Sequence, residues 1–516
     1  MCVGTGSHAG KSVLAAALCR IYARRGYRVA PFKSQNMALN SYVTPEGGEL
    51  GRAQAYQARA AGVEPHVDMN PVLLKPSSQL GSQVVVLGRS VAHMSVREYH
   101  AFQPEVWPTV VTALERLRAA NDLIVIEGAG SPAEVNLRDH DIANMRVAIH
   151  AQAPTLLIGD IDRGGVFASL VGHMELLTQP ERDLIAGFVI NKFRGDASFL
   201  ASGIDFLKER TGVPTLGVIP MLADWRGDEE DSLGLEDRRR RERPEAPLQI
   251  AVVRLPFMSN YTDFDALVDE PDVNVRYVGA PDGLEGAAAI VLPGTKSTIA
   301  DLEWLKDTGL AAAVTGRAAG GTPVIGICGG YQMLGRRIHD PDHVESDRGT
   351  VEGLGLLDTE TTFAGHKRTV RVEGELLRAA TAEGPGEAVP APVRSARPAA
   401  GLLGPAGTPL RGYEIHMGRT TRGPNATPLL RLRGADGSAH DDGAGAGRVC
   451  GSYVHGLFDQ PELRTTFLNG LRAAAGLVPL ESPTTSADAD IDRLADHVES
   501  YLDMPALDRI IGLEST

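Results

Sequence analysis

The chain opens on Gly4-Thr-Gly-Ser-His-Ala-Gly-Lys-Ser12, and an apolar helical run from Val13 to Arg25 follows at once, stopped at Gly26. A glycine-rich turn that ends in Gly-Lys-Ser at a helix start is a phosphate cradle, because free backbone N–H groups and the helix dipole both favour a polyphosphate. Lys11 would reach the outer phosphates and the Ser12 hydroxyl would bind Mg²⁺. Such a loop normally sits at the end of a buried parallel strand, so it commits this half of the chain to an open α/β sheet. Thr5 stands where a strict motif has its first glycine. Only Met1 to Val3 precede the loop, so either the first strand is short or the start lies upstream.

The runs that follow fit that sheet. Tyr27 to Phe32 reads as a strand that ends in Lys33-Ser-Gln-Asn36. Leu123 to Ile126 is a continuous apolar run, as expected of a strand covered on both faces, and ends in Glu127-Gly-Ala-Gly130. Glu127 is thereby placed as a second Mg²⁺ ligand beside the phosphates. Thr155 to Gly159 leads into Asp160-Ile-Asp-Arg-Gly-Gly165, and Leu184 to Ile190 leads into Asn191-Lys-Phe-Arg-Gly-Asp196. Polar clusters at successive strand ends, separated by helical stretches, predict a doubly wound parallel sheet.

From Arg226 to Arg243 the composition turns to acids followed by arginines, which reads as a solvated linker. Strand-like runs resume at Leu248 to Leu255, Val275 to Val278 and Ala288 to Leu292, the last ending in Pro293-Gly-Thr-Lys-Ser297. Then Thr322-Pro-Val-Ile-Gly-Ile-Cys-Gly-Gly-Tyr-Gln-Met-Leu-Gly335 carries Cys328 between glycines at the junction of a strand and a helix. Gly326-x-Cys328-x-Gly330 has nucleophile-elbow spacing, in which small neighbours tolerate a strained backbone and leave the thiol exposed above the sheet. The helix that begins after it puts partial positive charge beside the thiolate.

A thiolate nucleophile needs a base, and both His416, in Gly412-Tyr-Glu-Ile-His-Met-Gly418, and His455, in Gly451-Ser-Tyr-Val-His-Gly-Leu-Phe458, are candidates. His455 is favoured because a short strand delivers it to a turn at Gly456. Two Ala/Gly/Pro-rich stretches, about 379–409 and 434–447, read as mobile loops dispensable for chemistry.

At 516 residues the chain is too long for one core. Its formal charge of -14 argues against general nucleic-acid binding, and no apolar run approaches a membrane span. Cys2, Cys19, Cys328 and Cys450 are scattered without a C-x-x-C pair, which suits a reducing, cytoplasmic setting. The expected layout is a phosphate-loop domain at 1–225, a charged linker at 226–246, a second α/β domain at 247–480 and a tail at 481–516.

The Cys328 elbow and the later Tyr-Val-His455-Gly-Leu-Phe resemble a class I glutamine amidotransferase domain. The first half resembles the dethiobiotin-synthetase-like ATP domain that accompanies it in the cobyrinic acid amidating family. Five segments are similar to that family in order: Pro-Phe-Lys33-Ser-Gln-Asn-Met-Ala-Leu-Asn-Ser, Met69-Asn-Pro-Val-Leu-Leu-Lys-Pro76, Asp160-Ile-Asp-Arg-Gly-Gly-Val-Phe167, Asn191-Lys-Phe-Arg-Gly-Asp196 and Ser259-Asn-Tyr-Thr-Asp-Phe-Asp265. They point to the branch that amidates the b, d, e and g carboxylates of adenosylcobyrinic acid a,c-diamide.

The resemblance implies two doubly wound α/β domains, with small-molecule substrates (corrinoid acid, glutamine and ATP), Mg²⁺, and no tightly bound organic cofactor. It makes Cys328 the nucleophile towards glutamine and His455 its base, with the Gly294 and Gly329 backbone as oxyanion donors. Gly10, Lys11, Ser12 and Asn191 would bind ATP, Ser12 and Glu127 the metal, and Lys33 would neutralise the transferring phosphoryl group. Two positions depart from the pattern. His8 stands where an acidic residue is expected, and Leu457 stands where the wider class has a glutamate two residues after the catalytic histidine, so Cys328 and His455 are expected to work as a dyad. The alternatives are amidation of the a and c carboxylates of cobyrinic acid, or a partitioning-type ATPase with an inactive amidotransferase-like domain.

Overall fold

A computed structural model describes residues 1–78, 81–222, 242–377, 402–434, 437–481 and 487–513. The chain divides into two compact units: Met1–Ala38 with Gly48–Glu230 and Thr485–Thr516, and Leu39–Gly47 with Asp231–Thr484. Most of the charged linker and of the stretch at 379–409 lies outside the described residues.

In the first unit the short strand Cys2–Gly4 runs parallel to Thr155–Asp160, which is followed outward by Ile185–Phe193 and Thr215–Pro220. On its other side, Leu123–Ile126 pairs in parallel with Val29–Phe32, and a parallel bridge from Cys2 to Glu127 joins the two sets. The phosphate-loop strand is therefore central although only three residues long. Its brevity is offset by neighbours, since Met1 O accepts from Leu156 N at 2.8 Å and Gly128 N donates to Cys2 O at 2.9 Å. The strand that carries Asn191 continues through it to Phe193, further than the sequence reading placed its end.

Two C-terminal helices, Ala487–Tyr501 and Met504–Ile510, belong to this unit. Ile491, Leu494, Ala495, Val498, Leu502, Met504 and Leu507 are buried in one cluster with Leu14, Leu18, Ile21 and Tyr22 of the first helix, Lys11–Arg24. The expectation of a tail missed this, because a 15-residue amphipathic helix lies just beyond the polar 481–486 stretch.

The second unit is built on a six-stranded sheet. Val273–Val278, Leu248–Val253, Ala289–Leu292, Val324–Ile327 and Val449–Ser452 are parallel in that order, and Ala444–Ala446 closes the edge antiparallel. A second sheet is organised around the long antiparallel pair Thr359–Leu376 and Pro409–Arg422. The stretch at 434–447 is not a loose loop where it is described. Ala439–Asp442 pairs with Leu430–Gly434, and Leu430, Leu432 and Ala444 are buried. Asp442 accepts from Ser452 Oγ at 2.6 Å and Tyr453 N at 3.1 Å, so this segment anchors the turn ahead of His455. The glycines on either side hid this strand, which pairs with the alternately buried Leu430–Gly434 and itself buries Asp442.

Among the described residues no helix is long and apolar enough to cross a membrane.

Candidate active sites

Cys328 sits between the strand Val324–Ile327 and the short helix Gly329–Leu334, with φ 52° and ψ -110°, a conformation few L-residues adopt. The surrounding glycines make that turn possible. A Cβ on Gly326 would lie 2.7 Å from the Tyr331 backbone, and one on Gly330 would lie 2.0 Å from Leu292 O. Cys328 N donates to Ser452 O at 2.8 Å, which ties the elbow to the neighbouring parallel strand Val449–Ser452. That strand runs on to Val454–His455, so both side chains emerge at the same carboxyl edge.

His455 is buried and lies with its ring flat against Tyr413, centroids 5.3 Å apart and planes at 18°. Its Nδ1–H donates to Asp263 Oδ2 at 2.7 Å, and Asp263 Oδ1 accepts from Gly456 N at 3.0 Å. Burial alone would lower the imidazole pKa. The Asp263 charge and hydrogen bond, together with the hydrogen bond to Cys328, outweigh it and push the value up to about 10. The expected dyad therefore has a third group in contact. Asp263 lies in the Ser259–Asp265 segment that carried the family resemblance, yet nothing in its sequence spacing ties it to a histidine 192 residues away.

His416, the other candidate base, is a different kind of group. It stacks on Tyr453 at 3.7 Å and its Nδ1–H donates to Gly418 O at 2.8 Å. Burial drives its pKa down to about 4, which leaves it neutral and structural. The neighbouring Ile415 O accepts from Cys328 Sγ at 3.3 Å.

Gly294 and Gly329 flank the elbow. A Cβ on Gly294 would come within 2.9 Å of His455 Cε1, and one on Gly329 would meet Thr295 Cγ2 at 2.6 Å and Thr295 N at 3.2 Å. The Pro293-Gly294-Thr295 turn is held from beneath, with Ser259 N donating to Gly294 O at 2.8 Å. Thr295 Oγ1 bonds to the buried Asp301 carboxylate.

In the first unit, the phosphate loop brings together the residues its sequence suggested. Lys11 Nζ donates to Gly6 O at 2.9 Å and Gly130 O at 3.0 Å. Gly10 has φ 98°, and a Cβ there would fall 2.0 Å from Asn191 Nδ2, which itself donates to Ala9 O at 2.9 Å. Glu127 is fully buried and accepts from Ser12 Oγ at 2.7 Å, Lys33 Nζ at 3.0 Å and Gln57 Nε2 at 2.5 Å. Burial raises its pKa, but the Lys33 charge and these three hydrogen bonds bring it below the usual carboxylate value. Gln57, on the helix Arg52–Ala60, was not foreseen; a glutamine in an Ala-rich helix gives no signal that its amide turns inward.

A hydroxyl and an ionised carboxylate meeting at the mouth of a phosphate loop fit Mg²⁺, which typically takes one or two protein ligands and completes its shell with phosphate and water.

These features define a two-part protein: a phosphate-loop nucleotide-binding unit and a unit with the cysteine elbow and histidine of a glutamine amidotransferase. Family models agree, with a CobQ/CobB/MinD/ParA nucleotide binding domain over residues 1–232 and a CobB/CobQ-like glutamine amidotransferase domain over 249–463. The chain is 51% identical to the cobyric acid synthase of Desulforudis audaxviator, over 99% of both chains. It is likewise 51% identical to that of Sorangium cellulosum, over 100% of this chain and 98% of the relative, and 48% identical to that of Syntrophobacter fumaroxidans, over 99% and 98%. The chain belongs to the cobyric acid synthase family.

Proposed function

We propose that this chain catalyses the ATP- and glutamine-dependent amidation of the b, d, e and g carboxylates of adenosylcobyrinic acid a,c-diamide, giving adenosylcobyric acid for cobalamin biosynthesis. The observation that carries the reading is the coexistence in one chain of two complete sets of groups, Cys328 with His455 and Lys11–Ser12 with Lys33 and Glu127, in a family of this activity.

At the first set, the Cys328 thiolate attacks the glutamine carboxamide carbon, and the protonated His455 delivers its proton to the departing nitrogen, which leaves as ammonia. The backbone N–H groups of Gly294 and Gly329 would hold the oxyanion, a contribution of roughly 3 kcal/mol per donor in comparable sites. Water, giving one proton to His455, then attacks the thioester carbonyl; the Cys328 thiolate leaves, the new carboxyl loses its proton to solvent as glutamate departs, and the thiolate with protonated His455 is restored.

At the second set, a substrate carboxylate oxygen attacks the γ-phosphorus of ATP and ADP departs, leaving an acyl phosphate. Lys11 and Lys33 would neutralise the transferring phosphoryl group, and Asn191 would fix the nucleotide against Gly10. Mg²⁺, held by Ser12 and Glu127, would supply charge neutralisation to the phosphates. Ammonia attacks the acyl carbon, phosphate leaves and a proton is lost, giving the amide.

We place this chemistry in the cytoplasm, since all four cysteines are free and buried. Mass spectrometry of the product formed from adenosylcobyrinic acid a,c-diamide with ATP, Mg²⁺ and glutamine tests the assignment. Carboxylate-to-amide mass changes at b, d, e and g are expected. Amidation confined to a and c of cobyrinic acid would overturn it.

A further inference from the structure

A buried histidine that shuttles a proton must be held in one tautomer, and the residue that does this in the wider class is absent here, its position being the buried Leu457. We propose that Asp263 is the positioning residue for His455, reached from a different part of the chain, and that it fixes the Nδ1–H tautomer so that Nε2 serves Cys328. This rests on the reading of Cys328 and His455 as the glutamine-hydrolysing pair.

Both Asp263 oxygens are engaged at the same place. Oδ2 accepts from His455 Nδ1 at 2.7 Å and Oδ1 from the next backbone N–H, Gly456, at 3.0 Å. The carboxylate thus grips the ring and the main chain that carries it. Tyr413 covers one ring face, and Gly294 approaches Cε1 closely enough to exclude a side chain. The titratable groups that face His455 are Asp263, Cys328, Tyr413 and, further off, His416.

The Asp263 segment is itself immobilised. Asn260 takes the left-handed conformation at φ 52° and opens the short turn Tyr261–Phe264. The strap Leu39–Gly47, which belongs to the same unit, holds that turn through buried bonds: Tyr261 N donates to Asn40 Oδ1 at 3.1 Å, and Ser41 N donates to Asn260 Oδ1 at 2.9 Å. Tyr42 of the strap packs on Tyr413, centroids 5.6 Å apart. In sequence the strap begins six residues after Lys33.

A purely structural role, bracing Gly456, would be met by asparagine, which keeps the acceptor oxygen for Gly456 N but not the charge. The test compares Asp263→Asn and Asp263→Glu in the full chain. Asp263→Asn is expected to lower kcat with glutamine by at least about 100-fold while KM for glutamine stays within about 3-fold, since wrong-tautomer variants of comparable triads lose about 10⁴. Amidation driven by free ammonia should be unchanged. The pH profile of Cys328 alkylation by iodoacetamide should move to higher pH, because the imidazolium that supports the thiolate is lost. Asp263→Glu should recover part of the glutamine rate. Wild-type kcat with glutamine in Asp263→Asn, or an unmoved alkylation profile, would overturn the proposal. If Asp263→Asn does not fold, a folded Asp263→Glu no faster with glutamine than Cys328→Ala overturns it as well. Alkylation needs neither ATP nor corrinoid, so an error in substrate assignment leaves this readout intact.

Discussion

Lys33 Nζ lies 3.0 Å from Glu127 Oε1, and both side chains are almost wholly removed from solvent. Neither charge has water to fall back on, so each depends on the other. Lys33→Met leaves Glu127 with only neutral donors, Ser12 and Gln57, and a broken buried pair costs about 3–5 kcal/mol. The variant should unfold at lower temperature and lose ATP-driven amidation with either glutamine or ammonia, while Cys328 alkylation persists. Because the Glu127 pKa is depressed in the fold, its contribution to stability is present above the unfolded carboxylate value and is lost as pH falls through the folded one. Thermal unfolding from pH 7 down to pH 3 should show the wild type converging on Lys33→Met.

Cys328→Ala separates the two chemistries. The alanine keeps a small side chain at the strained turn but has no nucleophile, so glutamine-dependent amidation should vanish and ammonia-dependent amidation should remain near wild type. Parallel assays with glutamine and with ammonium chloride check this. A folded variant inactive with both would show that the sites are not separable.

Gly10 admits no side chain. Its φ of 98° is costly for L-residues and the space where a Cβ would go is taken by the Asn191 amide. Gly10→Ala should weaken binding of a fluorescent ATP analogue by at least about 10-fold, equivalent to the roughly 1.4 kcal/mol that a modest backbone strain supplies. Asn191→Ala removes a nucleotide contact but also the group that a Gly10 side chain would strike, so the two losses should overlap and the double variant should lose less than the product of the two single losses.

What could be read in the sequence was what lies close together along the chain. The phosphate loop and the Cys328 elbow are local motifs whose glycines, lysine and thiol occur within a few residues, and their strand-and-helix context follows from the neighbouring apolar runs. Lys33 and Glu127 were legible because strand ends in a parallel sheet converge on one edge. Asp263 was not, since a short turn held by an Asn40–Tyr261 bond presents it to His455, and no periodicity encodes that contact. Asp442 was hidden for another reason. Its surroundings, Ala439-His-Asp-Asp-Gly-Ala-Gly-Ala446, look like low-complexity loop, but pairing with Leu430–Gly434 makes them a strand.

Asp301 supplies a pH dependence. It is fully buried, and burial raises its pKa to about 7 against the opposing bonds from Thr295 Oγ1 and Phe257 N. Here the folded pKa lies above the unfolded value of about 3.9, so the fold holds a proton that the unfolded chain has released, and stability falls as pH rises from about 4 to 7. Asp301→Asn keeps an acceptor for Thr295 and removes that penalty. Its melting temperature should exceed wild type at pH 8 and match or fall below it at pH 4.5. An equal shift at both pH values would show that ionisation of Asp301 is not the cause.

The C-terminal helices should be indispensable to the nucleotide-binding unit. Six of their apolar side chains, Ile491, Leu494, Ala495, Val498, Met504 and Leu507, and Leu502 between the two helices are buried against the first helix and sheet. Burying one aliphatic side chain of this size is worth about 1.5–3 kcal/mol, so even the five larger aliphatic groups rival the roughly 5–15 kcal/mol that stabilises a typical domain. Register comes from polar contacts: Arg20 grips Asp492 at 2.7 and 3.1 Å, Tyr22 OH donates to Asp508 at 2.8 Å, and Asp503 N donates to Leu216 O at 2.7 Å. Because Arg20 and Asp492 are partly exposed, their pairing contributes much less than the apolar face. Removing residues 485–516 should therefore abolish binding of the fluorescent ATP analogue and expose the face of Leu14, Leu18 and Ile21 to aggregation, whereas Cys328 should still react with iodoacetamide. Leu494→Ala, which leaves a cavity worth about 2–5 kcal/mol, should lower the melting temperature of the nucleotide-binding unit without touching its ligands. A truncated chain that binds the analogue as the full one does would show that the helices only decorate the surface.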